Sequence, residues 1–497
     1  MSTRTVHTRP PLRVEAGAAA GGRRLPPRYA AGTAAVVFTG IAIRCRQWWH
    51  ARSLWLDELF VADNLRRRSP AGLARPLEHH QSPPLGWLWM EKAAMAAAGS
   101  GERALRLPAL VSGCGLLVLL AVVAYRLLPG FAAPVTVGLA AVNPSLVYYS
   151  NEVKPYSFEA LAALALLAAV PATAGPGSSR RWLRWWALAA VAAWFATSSA
   201  VVTAALAGVS AVPPLLARRG PELARLLAGA PAWLASLAVL YPLQLAPARH
   251  DRVLVRYWAY AFPPPTPHAW IGPHWWASRA DWVGVTAQSL ARDPVGSWVA
   301  WPAIALAATG LVRVAHRYGT PLAWLLAATP AVAMLADLAG AYPLTGRLAV
   351  YLLPAVMLLF GAAVHRPRGR TAVTTWLLLA AVGAPQLRSA VQQAARPPSP
   401  HAYRQAVAYV AAHRDPRDAV TYTAAAAMTA AWYGRELRVP TLPCHPHLWL
   451  IDTGPPYDPA ALTATRARLR RLGPETRPFT AASATVYRYT LRPACPP

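Results

Sequence analysis

A chain of 497 residues that is 55% hydrophobic, only 14% charged and has a mean hydropathy of +0.28, with repeated long apolar runs, reads as an all-α polytopic membrane protein. Its formal net charge of +29 does not point to nucleic acid, because the arginines are scattered among short loops and form no single patch. The four cysteines show no metal spacing: Cys45 and Cys114 fall in or beside apolar runs, while Cys444 and Cys495 lie in the polar tail, where a disulfide is geometrically open.

Residues 1–29 carry six arginines and one acid among scattered Gly and Pro, the composition of a disordered cytoplasmic tail; the apolar run that follows lacks a small-residue cleavage site and reads as an anchor. Eleven candidate spans follow, at about 30–46, 104–126, 131–148, 156–174, 183–196, 199–217, 226–246, 295–312, 320–340, 347–364 and 371–387. With the N-terminus inside, the tail and the loops bearing Arg126, Arg180/Arg181/Arg184, Arg218/Arg219/Arg225, Arg313/Arg317 and Arg366/Arg368/Arg370 hold eighteen arginines against two acids, Glu15 and Glu222. This bias orients the spans and leaves the C-terminus outside. Residues 83–99 could form a twelfth span, but Glu91 and Lys92 stand near its middle, so an interfacial or protein-buried helix is expected there.

The outer face then receives long loops at about 47–103 and 247–294. The second contains PPPTPHAWIGPHWW, a Pro- and Trp-rich stretch suited to a membrane interface. After a linker at 388–400, residues 401–497 alternate helical patterns (402–413, 424–433, 459–472) with apolar or strand-like ones (419–423, 448–452, 484–491), which predicts a small extracytoplasmic α/β domain.

The ionisable residues within or against the spans, Glu152, Lys154, Glu159, Asp337 and Arg347, all fall toward outer ends, as expected of a polar site opening outward. The first loop adds Asp57-Glu58, then Glu78-His79-His80-Gln81-Ser82-Pro83-Pro84, then Glu102-Arg103 and Arg106. Neighbouring carboxylates on a helix point about 100° apart, so one of the pair is expected to face a site. Adjacent histidines lack the i,i+4 spacing of a metal pair, and no metal site is expected at His79-His80.

Five ordered segments, SLWLDEL, HHQSPPLGWLW, GERALRLPALVSG, NPSLVYYSNEVKPYSFEAL and TGRLAVYLLPAVMLL, resemble the GT-C superfamily of polyprenyl-phosphate-sugar glycosyltransferases, within it the protein O-mannosyltransferase and lipid A aminoarabinose transferase group. The resemblance covers residues 30–365. It implies that Asp57, the loop acid after the first span, is the catalytic carboxylate, with Glu58 completing the pair. A sugar would pass from a polyprenyl monophosphate to an acceptor hydroxyl of a cell-envelope glycan, lipid or protein, with inversion, aided by a general base worth roughly 10² to 10⁴ in rate.

The departing phosphate needs cations or a metal. Lys154 and Arg347 are the expected phosphate-binding cations, with Glu152 and Tyr156 lining the same cavity; the sequence names no certain cofactor, and a divalent metal stays open because the two cations can replace one without excluding it. One departure stands out: where relatives place a charged residue or histidine before the first proline of the PPLG segment, this chain has Gln81-Ser82, which leaves His80 as the substitute. Rival readings are a lipid-linked oligosaccharide ligase, a transporter, which the absence of an internal repeat disfavours, and a non-catalytic scaffold.

Overall fold

The computed structural model describes residues 27–128, 130–171, 179–264, 273–365, 369–395, 402–433, 445–453, 459–481 and 484–491. Residues 1–26 of the expected disordered tail, most of the Pro- and Trp-rich stretch, the end of the linker, Cys444 and Cys495 lie outside the described residues, while 27–29 already belong to the helix Pro27–His50.

Each of the eleven apolar segments contains a helix among its described residues, but not all are membrane-length rods. Leu107–Leu127, Ser199–Leu216, Thr320–Leu338 and Gly346–Ala363 are long and apolar enough to cross a membrane; Gly220–Leu227 with Ala230–His250 forms a bent fifth candidate. Others are shorter, such as Ala132–Val142 and Tyr156–Ala168. Local chemistry explains the breaks. The 131–148 segment divides at Asn143-Pro144 into Ala132–Val142 and Pro144–Tyr149, because proline cannot donate into the preceding turn. The 347–364 segment begins as a 3-10 turn, Gly346–Leu352, before Leu353–Ala363.

The largest core joins Leu116 and Leu120 to Val137, Leu164, Leu306, Met357 and Phe360, contributed by five different helical segments. Small residues bring the backbones together: a methyl group at Gly310 would meet the Leu359 carbonyl oxygen at 1.9 Å, and one at Gly361 the Thr136 hydroxyl at 1.8 Å. Outward-facing positions stay apolar, including Phe38, Val111, Val118, Val191, Leu216 and Leu335, as a lipid-covered surface requires. The protein is a membrane protein.

The Leu85–Ala98 helix has 14 residues and packs on Ser179–Phe195. Glu91 is fully buried, which pushes its carboxyl well above the usual range, and the Lys92 ammonium donates to the Leu65 carbonyl at 2.5 Å. The carboxyl is thus buried within protein and the ammonium is paired with a backbone carbonyl.

The C-terminal unit is a four-stranded sheet of β1 (Ala419–Tyr422), β2 (His447–Thr453), β3 (Glu475–Ala481) and β4 (Ala484–Thr490), ordered β1-β2-β4-β3. β1 and β2 are parallel, the other pairs antiparallel; Val420 opposes Trp449, Leu450 opposes Tyr487 and Val486 opposes Phe479. Tyr403–His413 and Ala424–Tyr433 cover one face through Val407, Val410 and Ala426 against Trp449, Ile451 and Val486. Pro459–Arg470 covers the other through Leu469 on Leu450, Tyr487 and Tyr489.

This unit is fastened to the first loop by its double-helix layer. Arg404 pairs with Glu102 at 2.7 Å, the Leu54 amide donates to the Tyr433 hydroxyl at 2.9 Å, the Ser53 hydroxyl donates to Gln405 at 2.9 Å, and Trp55 packs against the sheet-domain core.

A candidate active site around Asp57

Leu56–Arg67 opens on Trp55, whose extended backbone starts the helix, and carries Asp57 and Glu58 in its first turn, where the helix dipole favours acids. Asp57 turns inward. Its Oδ1 lies 3.1 Å from Lys154 Nζ and its Oδ2 2.7 Å from Arg347 Nη1. Lys154 comes from the non-helical stretch between Pro144–Tyr149 and Tyr156–Ala168, and Arg347 from the 3-10 turn at the head of Leu353–Ala363. Burial by itself would raise the Asp57 carboxyl, but Lys154 and then Arg347 outweigh it and hold the group below the ordinary carboxylate range. Arg347 also lies 5.4 Å from the centre of the Trp258 ring.

Glu58 faces elsewhere. Fully buried, it accepts two bonds from Arg106, from Nε at 2.9 Å and Nη2 at 2.6 Å, and one from the Val153 amide at 2.9 Å. Burial opposes its charge, yet Arg106 foremost among its partners keeps the carboxyl below its usual range. The two acids therefore do not share one pocket, and Glu58 does not complete a catalytic pair by contact. What it does is set register: it ties its own helix to Val153, so that the adjacent residues Asp57 and Lys154 meet.

Glu152 stands beside this centre. Its Oε1 accepts from Trp55 Nε1 at 2.8 Å, while its buried Oε2 has no hydrogen-bond partner among the described residues. Burial, reinforced by Glu58, pushes its carboxyl up to about 7. Tyr156 is buried and meets Tyr149 edge-on at 5.0 Å. His80 departs from expectation: its Nδ1 lies 2.7 Å from Asp251 of the second loop, and Gln81 instead takes the place beside Lys154, accepting from Nζ at 2.8 Å. Glu159 and Asp337 do not join the cluster by contact; Glu159 accepts from the Thr197 amide, and Asp337 from Trp282 Nε1 and the Leu344 amide.

Beneath the Lys154 segment lies a group that sequence reading passed over. Arg44 is fully buried and bonds only neutral oxygens: Ala140 at 3.1 Å, Ala141 at 3.1 Å, Gly40 at 3.0 Å and the Ser150 hydroxyl at 3.1 Å. Pro144 cannot donate to the Ala140 carbonyl, and Arg44 supplies the missing proton donor. The Asn143 side chain accepts from the Leu146 amide at 2.9 Å and caps the next helix. Apolar periodicity hides Arg44, whereas the Asn143-Pro144 break is the signal that could have pointed to a buried donor.

Among the described residues, one acidic and histidine set, Asp63, Glu78 and His79, brings its ligand atoms within 4.8 Å of one another, but Asp63 is already bonded by Arg66 at 3.0 Å and Arg67 at 2.9 Å. Asp57, with a cation on each oxygen, is likewise a poor donor for a divalent ion. What the Asp57 arrangement can do is hold an anion between two cations and expose a carboxylate once they are drawn away.

No protein-family model and no curated protein matches the chain. Among solved structures, the chain is similar to ArnT, the lipid A aminoarabinose transferase, from Cupriavidus metallidurans in its apo state, at 12% identity over 94% of this chain and 100% of that one, with a TM-score of 0.52. The same protein bound to undecaprenyl phosphate aligns at 14% identity over 95% and 99%, with a TM-score of 0.49. The Archaeoglobus fulgidus oligosaccharyltransferase in complex with Zn and sulfate aligns at 13% identity over 83% of this chain and 58% of that one, with a TM-score of 0.48. The apo-state likeness carries the assignment of fold: this chain folds like ArnT over nearly its whole length.

Proposed function

We propose that this protein is a membrane glycosyltransferase that moves a single sugar from a polyprenyl-monophosphate donor to an acceptor hydroxyl of a cell-envelope glycan, lipid or protein at the outer face of the membrane. The observation that carries the reading is Asp57 held between Lys154 and Arg347. A phosphate entering this centre competes with Asp57 for both cations. As Lys154 and Arg347 turn to the donor phosphate, the Asp57 carboxylate is released and its proton affinity rises toward that of an ordinary acid.

Asp57 then takes the proton of the acceptor hydroxyl as its oxygen attacks the anomeric carbon. The bond from that carbon to the phosphate oxygen breaks, positive charge develops on the sugar ring, and the lipid phosphate departs with the electron pair, stabilised by Lys154 and Arg347. Direct displacement inverts the anomeric centre. Glu58 acts as a positioning residue; Glu152 and Tyr156 line the chamber, and His80 with Asp251 bounds its loop side. The eleven helical segments serve as spans with the N-terminus inside and the C-terminal domain outside, the orientation favoured by the arginine-rich short loops.

The test uses membranes carrying wild type or Asp57→Asn, supplied with radiolabelled polyprenyl-monophosphate sugars and, separately, a diphosphate-linked oligosaccharide. Wild type is expected to consume at least one monophosphate donor, and Asp57→Asn to insert normally and lose transfer by about 10²-fold or more. Equal turnover by the two removes Asp57 as the base. Use of the diphosphate donor alone identifies an oligosaccharide ligase instead.

A further inference from the structure

The C-terminal domain concentrates positive charge on one side. Its described residues from 459 onward contain six arginines (466, 468, 470, 471, 477 and 488) against a single acid, Glu475; Arg488 alone turns to the other sheet face, where it meets His447 at 2.6 Å and the Trp449 ring. Three of the six converge on that acid: Arg466 at 2.5 Å, Arg470 at 2.9 Å and Arg477 at 3.8 Å, while the Tyr489 hydroxyl donates to it at 2.8 Å. One carboxylate neutralises one guanidinium. The other two remain as surplus positive charge beside it, more than half exposed and able to meet a further anion.

The cluster is also held in shape. Arg466 and Arg477 lie 4.3 and 5.3 Å from the Tyr487 ring centre, which limits their rotamers, while the side chains of Arg470 and Arg477 are 54% and 56% exposed. Position narrows the partner. Tyr403–His413 and Ala424–Tyr433 lie between the sheet and the first loop, and Pro459–Arg470 lies on the sheet's opposite face. The arginines around Glu475 thus lie on the sheet face away from the first loop.

We propose that this face binds a polyanionic envelope glycan, through its phosphate or carboxylate groups, and so holds acceptor polymer beside the transferase. The acceptor role rests on the proposed function; the binding itself does not. Arg470 spends its Nε and Nη2 donors on Glu475, so Arg477 and the outer edge of Arg470 supply the donors to successive anionic groups, with exposed Arg468 and Arg471 adding positive charge at the same helix end.

The experiment uses the full chain in phosphatidylcholine nanodiscs, with long-chain inorganic polyphosphate as probe, and reads affinity against salt. Wild type and Asp57→Asn are expected to bind alike. Arg470→Gln/Arg477→Gln is expected to bind at least tenfold more weakly and with a shallower salt dependence, whereas Arg470→Lys/Arg477→Lys, which keeps the charge, retains most of the binding. Unchanged polyphosphate affinity in the glutamine variant overturns the proposal. So does a defect confined to phosphatidylglycerol vesicles added in trans, which would make the occupant a lipid surface. Polyphosphate binding without sugar transfer by wild type would instead sink the transferase reading alone.

Discussion

Arg347 Nη1 lies 2.7 Å from Asp57 Oδ2 across 290 residues of sequence, and the pair leaves Lys154 to close the other carboxylate oxygen. Because the two cations hold Asp57 below the ordinary range, removing one moves its carboxyl upward. Arg347→Gln is therefore expected to shift the acid limb of the kcat/KM profile to higher pH, and to weaken donor use by about 10-fold or more through loss of a bidentate phosphate contact. Arg347→Lys keeps the charge and loses the fork, so it should show a smaller pH shift while its apparent donor KM still rises. An acid limb unmoved in Arg347→Gln contradicts the pairing.

Arg106 and Glu58 form a buried pair in which either partner alone is an uncompensated charge. Arg106→Met is expected to cost about 3–5 kcal/mol of stability, and the double variant Arg106→Met/Glu58→Leu distinctly less than either single change. Thermal unfolding of the detergent-solubilised variants measures this. The double variant should nevertheless turn over slowly, because Val153 loses its tie to the Leu56–Arg67 helix and Lys154 loses register with Asp57.

Glu152 gives a pH-dependent stability of definite sign. Its folded carboxyl is raised to about 7 from an ordinary 4.5, so the folded state keeps a proton that the unfolded chain releases. This contribution is fully present below about 4.5 and is lost as pH rises through about 7. Glu152→Gln is expected to flatten the melting-temperature profile over that window, and infrared difference spectra should lose a protonated-carboxyl band titrating near neutrality. A wild-type profile matching the glutamine variant throughout would mean that Glu152 is ionised in the folded protein.

Arg44 repairs the carbonyls left by the Asn143-Pro144 break, and Arg44→Met strands them. Each orphaned buried carbonyl costs about 1–3 kcal/mol, so the variant should melt earlier and should lower kcat more than donor KM as the Ser150 to Lys154 segment loses its anchor. Restoring stability with a bound donor but not kcat would separate misplacement from unfolding.

The Asp57, Lys154 and Arg347 centre was legible because each residue sits in an ordered segment whose chemistry and position beside an apolar run are visible in one dimension. Glu58 was half legible. The rotation of about 100° per helical residue foretells that neighbouring acids diverge, but nothing local announces Arg106 as the partner 48 positions away. The substitution of Gln81 for His80 has a backbone cause: His79 and His80 both adopt left-handed conformations, with φ of 62° and 54°, and this turns His80 toward Asp251 and Gln81 toward Lys154. Side-chain type alone does not encode that turn. β3 was missed because ETRPFTA is polar, carries a proline and forms an edge strand, where the alternation of a half-buried sheet is weakest. Apolar runs alone do not show where prolines and 3-10 turns divide them, so only four of the described helices, with one bent pair, are long and apolar enough by themselves to cross a membrane.

Trp55 opens the helix that bears Asp57, gives its indole proton to Glu152, and rests its ring among the side chains of the C-terminal sheet domain. Severing the polypeptide after Arg370–Ala395 would consequently uncover one side of the Asp57 centre and let water reach Glu152, whose raised proton affinity comes foremost from burial. The distal domain is thus part of the wall around Asp57, and on the proposed function a truncated chain should lose transfer even with every charged group of the centre still in place.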